Sequence, residues 1–236
     1  ESPYESIENT DRIALLRLKA GIHFLYDQPD EINDCLKKAR TLFNSGNVVN
    51  APYYIICITS LSLWCEGRFF EAAEHASIAI NQAAIAGYSS ISAPFDAYMV
   101  LARCQLELSQ IDKAIETSTL LFEKSSESNI WPWALMAEGT SARIRITMGQ
   151  IPQMMAVIEQ QRERLHEIKA PHELSWLIDV SEVFLRFVLD DWDRTEELLK
   201  RMPKIEMVRQ MDMNVKFQSD PKKIPSFVEG LPENTP

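Results

Sequence analysis

Glycine is scarce in this chain, with seven among 236 residues. A β protein built on many tight turns needs more, so the low count favours helices joined by short connections. Nor is there an excess of basic charge: 24 Lys and Arg stand against 34 Asp and Glu, a formal net charge of −10. Such a surface repels phosphate backbones and excludes nucleic-acid binding through a broad basic face. No apolar run approaches the ~20 residues that a membrane span requires. The four cysteines, Cys35, Cys57, Cys65 and Cys104, form no CxxC pair, and each sits among apolar residues. They read as buried thiols of a reducing, cytoplasmic protein.

Signatures of chemistry are missing as well. There is no GxxxxGKS/T phosphate loop, no HExxH and no GxSxG. His23, His75, His166 and His172 have no cysteine at zinc-finger spacing, and Cys57 with Cys65 would leave a zinc shell incomplete. The acidic run Asp190, Asp191 and Asp193 falls where a helix starts, so it reads as capping rather than a metal or acid/base site. We therefore expect no catalytic residue, no metal and no cofactor. The chain begins at Glu1, without an initiator Met or a signal peptide, and reads as a piece of something longer.

What is present is a repeat. Five segments align without gaps: Asp27–Ile32, Gly67–Ala72, Ser109–Ala114, Gly149–Met154 and Asp190–Thr195, at intervals of 40, 42, 40 and 41 residues. Each opens on Gly, Ser or Asp, residues that suit a cap or tight bend. Two positions on stands Pro29, Phe69, Ile111, Ile151 or Trp192. Three positions before comes an apolar residue, Phe24, Trp64, Leu106, Ile146 or Phe187. Seven before comes Ala20, Ser60, Ala102, Ala142 or Val183, mostly small, which allows close helix approach.

Apolar spacing on both flanks follows the helical period, as in Tyr98, Leu101, Gln105 and Leu108, and in Ile151, Met154, Met155 and Ile158. The spacing predicts helices at 9–26, 30–44, 52–66, 69–86, 93–108, 111–125, 131–148, 151–168, 173–189 and 192–201. A brief alternation at Ile144, Ile146 and Met148 lies inside a longer helical pattern and predicts no strand. The expected fold class is all-α: a right-handed α-α superhelix, or TPR-like solenoid, of five hairpins of about 41 residues each. It spans 1–203, with loops at 45–51 and 87–92. Residues 204–236 form a Pro-rich tail or cap.

Gly67-x-Phe69-x-x-Ala72, with Ala79 in the following helix, resembles the tetratricopeptide pattern. The period exceeds the ~34 residues of an ordinary unit. Trp131-Pro-Trp133-Ala-Leu, followed by Arg143-Ile-Arg-Ile-Thr-Met-Gly149-Gln, resembles the solenoid of bacterial LuxR-type transcription regulators of the MalT kind. So do the stretches around Trp176, Trp192 and Leu198. That resemblance implies an effector- or partner-sensing module whose ATPase and helix-turn-helix parts lie outside this chain. The alternative is a general TPR interaction scaffold. The partner is a protein or peptide, or else a small-molecule effector.

In tetratricopeptide folds the first helix of each hairpin lines the concave groove. Carried over by position, six residues before each turn come Leu61, Arg103, Arg143 and Phe184, and ten before come Cys57, Met99 and Gly139. Thirteen before come Tyr54, Asp96, Met136 and Leu177. The expected binding residues are Arg103, Arg143, Tyr54, Asp96, Met99 and Trp133. Arg103 and Arg143, in register on adjacent repeats, suit a clamp for a carboxylate or phosphate. The plainer alternative pairs them with Glu107 or Glu138 on a solvated face. Trp131 and Trp133 are core anchors, or else stacking platforms.

Overall fold

The computed structural model describes residues 3–45, 51–88, 93–167 and 175–203. Among them the chain forms ten helices in order: α1 Pro3–Leu25, α2 Pro29–Asn44, α3 Ala51–Cys65, α4 Phe69–Ala86, α5 Phe95–Glu107, α6 Ile111–Glu127, α7 Trp131–Thr147, α8 Ile151–Glu167, α9 Trp176–Val188 and α10 Trp192–Arg201. The loops expected at 45–51 and 87–92 lie largely outside the described residues, and the tail expected at 204–236 lies wholly outside them. The chain divides into two compact units between Met148 and Gly149.

The five repeated segments are five left-handed bends. Asp27, Gly67, Ser109, Gly149 and Asp190 all have φ between 51° and 74°. Glycine meets that requirement without strain, and Asp tolerates it better than most side chains. The bend lets the chain close a Schellman cap. The amide of Gln28 donates to the His23 carbonyl at 2.9 Å, that of Arg68 to Leu63 at 3.0 Å, that of Gln110 to Gln105 at 2.7 Å and that of Asp191 to Arg186 at 3.0 Å. The same device recurs between hairpins at Gly87 and Asn129, where the Tyr88 amide reaches the Ala83 carbonyl and the Ile130 amide reaches Ser125. Each large residue two positions into a segment becomes the first residue of the second helix: Pro29, Phe69, Ile111, Ile151 and Trp192.

The rest of the register is core. Ala20, Ser60, Ala102, Ala142 and Val183, seven positions before the bends, are all buried. So are Ile32, Ala72, Ala114, Met154 and Thr195, five positions after them. In the first unit each helix packs on the next, and the first helices also stack on one another, α1 on α3, α3 on α5 and α5 on α7. A hairpin alone cannot bury both faces, and this stacking supplies the missing contacts. Phe24 and Trp64, equivalent residues of adjacent hairpins, meet edge to face with centroids 5.2 Å apart. In the second unit α9 packs on both α8 and α10. There Phe187 meets Trp192 at 5.2 Å across the bend between α9 and α10.

Several helix boundaries differ from the sequence expectation: α1 starts at Pro3 rather than 9 and α9 at Trp176 rather than 173, and two others have clear local causes. α5 begins at Phe95, after Pro94, because proline disfavours helical backbone in the residue before it. α6 runs on to Glu127, where Ser128 and the left-handed Asn129 stop it. The alternating Ile144, Ile146 and Met148 end α7 as helix. The carboxylate of Asp191 caps α10 by accepting from the Arg194 amide at 3.3 Å.

Candidate functional site

The first helices of the first unit hold two arginine sites that differ in how well they are satisfied. Arg17 of α1 reaches the start of α5 and makes three hydrogen bonds there. Its Nε donates to Asp96 Oδ2 at 2.8 Å, and its Nη2 donates to Asp96 Oδ1 at 2.7 Å and to the Ala93 carbonyl at 2.6 Å. The guanidinium also lies 5.4 Å from the centre of the Tyr53 ring. Both charges are buried, with side chains 5% and 2% exposed. Burial disfavours the Arg17 cation, but the Asp96 charge and hydrogen bonds outweigh it and raise its pKa.

Arg103 of α5 is the contrasting case. Its guanidinium carbon sits 5.3 Å from the Phe24 ring centre and 5.5 Å from that of Trp64. It therefore lies on the aromatic pair that joins the first two hairpins. Its Nε is buried without a hydrogen-bond partner, and so is Nε1 of Trp64. No carboxylate of the described residues forms an ion pair with it. Burial, and then the nearby charge of Arg143, push its pKa down to about 10. Arg143, at the same register on α7, donates from Nη2 to Glu107 Oε1 at 3.1 Å, a half-exposed pair. The two arginines thus come together as expected, but only Arg143 has taken the neighbouring acid.

The remaining expected residues separate. Asp96 and Met99 are interior, and this corrects their placement on an open face. Asp96 is consumed by Arg17, and Met99 is fully buried with its sulfur accepting from Thr140 Oγ1 at 3.5 Å. Tyr54 is half-buried, its ring 5.1 Å from that of Tyr53. Trp133 is half-buried, and its ring edge lies 3.3 Å from where a β-carbon on Gly21 would stand. Gly21 holds the register position of Arg103 and Arg143, six residues before its bend, and there it makes room for the Trp133 ring. Between them, Arg17 and Gly21 bring α1 against α5 and α7. Much of the face that a tetratricopeptide groove would leave open is therefore filled by the protein's own side chains.

The cysteine thiols are pushed up by burial, Cys65 to about 11 and Cys104 to about 12, which suits inert core residues rather than ligands or nucleophiles. No cluster of three or more His, Cys, Asp or Glu able to hold a metal occurs among the described residues. No helix among them is long and apolar enough to cross a membrane.

Sequence reasoning missed the charged centre of the second unit. Glu182 of α9 accepts from Arg162 Nη2 at 2.5 Å and from Arg194 Nε at 3.3 Å, and Arg186 Nε stands 3.4 Å away. Arg162 also binds Asp179 at 2.7 Å. Burial works to raise the Glu182 pKa, but Arg162 and Arg194 hold it below the ordinary glutamate value. Only the spacing of Glu182 and Arg186, four apart on one helix, was a signal in the sequence.

No protein-family model matches the chain, and no curated protein matches it. Two crystal structures of nearly identical TPR-like repeats, from a candidate kinesin light chain of Podosopora anserina, are similar to it. One superposes with a TM-score of 0.54 at 14% identity over 89% of this chain and 98% of that one. The other gives 0.53 at 14% identity over 88% and 98%. At that identity the likeness defines the fold, which is all-α and of the TPR-like α-α superhelix class.

Proposed function

We propose that this chain is a peptide-binding interaction module that takes an acidic or carboxylate-bearing segment of a partner protein at Arg103. One observation carries the reading: a guanidinium lies on two aromatic rings, with no carboxylate of the described residues bound to it and a buried donor left unmade. An orphaned buried donor costs about 1–3 kcal/mol, which an incoming acceptor recovers. A planar carboxylate matches the guanidinium fork, and Arg143 adds a second positive charge at the same register. The Arg17–Asp96 bridge restricts the peptide to a local contact near the bends of α1, α3 and α5, rather than a run along an open groove.

Titration of fluorescein-labelled acidic peptides, followed by anisotropy, tests this. Binding should fall by at least about tenfold in Arg103→Ala, the loss of one good charged contact. Arg103→Lys should not restore it, since a point charge lacks the fork. Acidic peptides that bind wild type and Arg103→Ala equally would end the proposal.

A narrower reading makes the chain the sensing solenoid of a LuxR-type bacterial transcription regulator, answering a small effector. It rests on the sequence phrases around Trp131, Gly149 and Trp192. The structural likeness to TPR-like repeats supports the general scaffold more directly. An upstream phosphate loop and a downstream helix-turn-helix in the parent polypeptide would be needed to establish the regulator.

A further inference from the structure

The outer face of the first hairpin departs from the repeat. Counted back from the bends, Leu18 is equivalent to Ile58, Val100 and Thr140, and Ile22 to Ser62, Cys104 and Ile144, all of them buried. Leu15 matches Ala97 and Ala137, also buried, and the half-buried Ile55. In α1 the same three positions are exposed: Leu15 63%, Leu18 42% and Ile22 54%.

In the inner hairpins the cover comes from the second helix of the preceding hairpin. Ser62 donates to Asn33 of α2 at 2.6 Å, and Ser118 of α6 donates to the Ala137 carbonyl of α7 at 2.8 Å. The α1 stripe therefore has the shape and spacing of a surface made to receive a helix.

A cavity of about 700 Å³ adjoins the stripe between α1 and α2. Leu15, Leu16 and Leu42 make its apolar floor, and Arg12, Lys19, Lys37 and Lys38 stand around it. One acid, Asp34, shares this rim and is paired with Lys38. Lys19 and Lys37 carry no ion pair among the described residues. A basic rim is out of character for a chain of net charge −10, and it selects an occupant of opposite sign.

We infer that this face docks an amphipathic helix of a partner protein, its apolar stripe on Leu15, Leu18 and Ile22 and its flanks rich in Asp and Glu. Leu15 belongs to both the stripe and the cavity, and apolar residues three and four apart on one helix fit the anchors of a second helix laid along them. An anionic membrane would meet a flat or convex face instead. The surface is separate from Arg103 and does not depend on the reading of that site.

The probe is a synthetic helical peptide with a leucine stripe and Glu flanks, set against the same peptide with Lys flanks. The Glu peptide should bind the full chain, and the Lys peptide should bind at least about tenfold more weakly. Leu15→Glu with Ile22→Glu should abolish binding while leaving the circular dichroism unchanged, since both residues are exposed. Lys19→Glu with Lys37→Glu should reverse the preference towards the Lys peptide, and every one of these measurements is made in an Arg103→Ala background so that the other proposed acidic-peptide site does not contribute. Equal binding of the two peptides, or indifference to Leu15→Glu with Ile22→Glu, would overturn the inference. So would a self-association seen by sedimentation, or binding to phosphatidylserine vesicles, that these substitutions remove.

Discussion

Arg17 and Arg103 sit on stacked first helices of one unit, and each guanidinium lies against aromatic rings. What differs is the acid. Asp96 meets Arg17 with both oxygens, so burial has been offset and the pair acts as a brace between α1 and α5. Arg103 is half-buried, with its Nε fully enclosed and no acid bound to it, and its pKa moves the opposite way. The same residue type in the same surroundings becomes a structural part or a candidate binding part according to whether its charge is already spent.

The largest effect expected from this contrast is at the brace. Arg17→Ala leaves Asp96 charged and buried, and should destabilise the first unit by about 3–5 kcal/mol in chemical denaturation. Arg17→Met combined with Asp96→Leu should recover most of that loss, because no lone charge remains. Equal losses in the single and double variants would show that packing, not charge pairing, does the bracing.

Next comes Glu182, where one carboxylate serves several arginines. Its folded pKa lies below the ordinary glutamate value, so its contribution is complete above that range. It drains away as pH falls through and below it. Urea titrations of the second unit should therefore lose stability on acidification, and Glu182→Gln should flatten that dependence. At neutral pH the substitution should cost about 1–2 kcal/mol, a modest figure because the partner arginines are partly exposed.

A smaller stability effect belongs to Arg103. Arg103→Ala gives up contacts with Phe24 and Trp64 but also removes an unmade buried donor, so the melting free energy should change by less than about 1 kcal/mol. A loss as large as that of Arg17→Ala would assign Arg103 to the framework and remove it from the binding site. Smallest of all is Arg143→Ala. Its pair with Glu107 is half-exposed and should be worth about 0.5 kcal/mol, fading in high salt.

Sequence by itself determined the hairpins. The bends at 27, 67, 109, 149 and 190, the buried positions on either side of them and nearly every helix boundary are local consequences of residues a few places apart. A left-handed bend, a cap and a helical apolar stripe are all written within one or two turns of chain. Register alone also brought Arg103 and Arg143 to neighbouring places. Tertiary structure decided what each charged side chain meets. Arg17 finds Asp96 across 79 residues, and no period of about 41 predicts that contact or the placing of Gly21 under Trp133. Those contacts depend on how far successive hairpins rotate as they stack, a quantity set by side-chain volumes on several helices at once. For that reason the spacing could find the arginines, and only the folded chain could show which of them still lacks a partner.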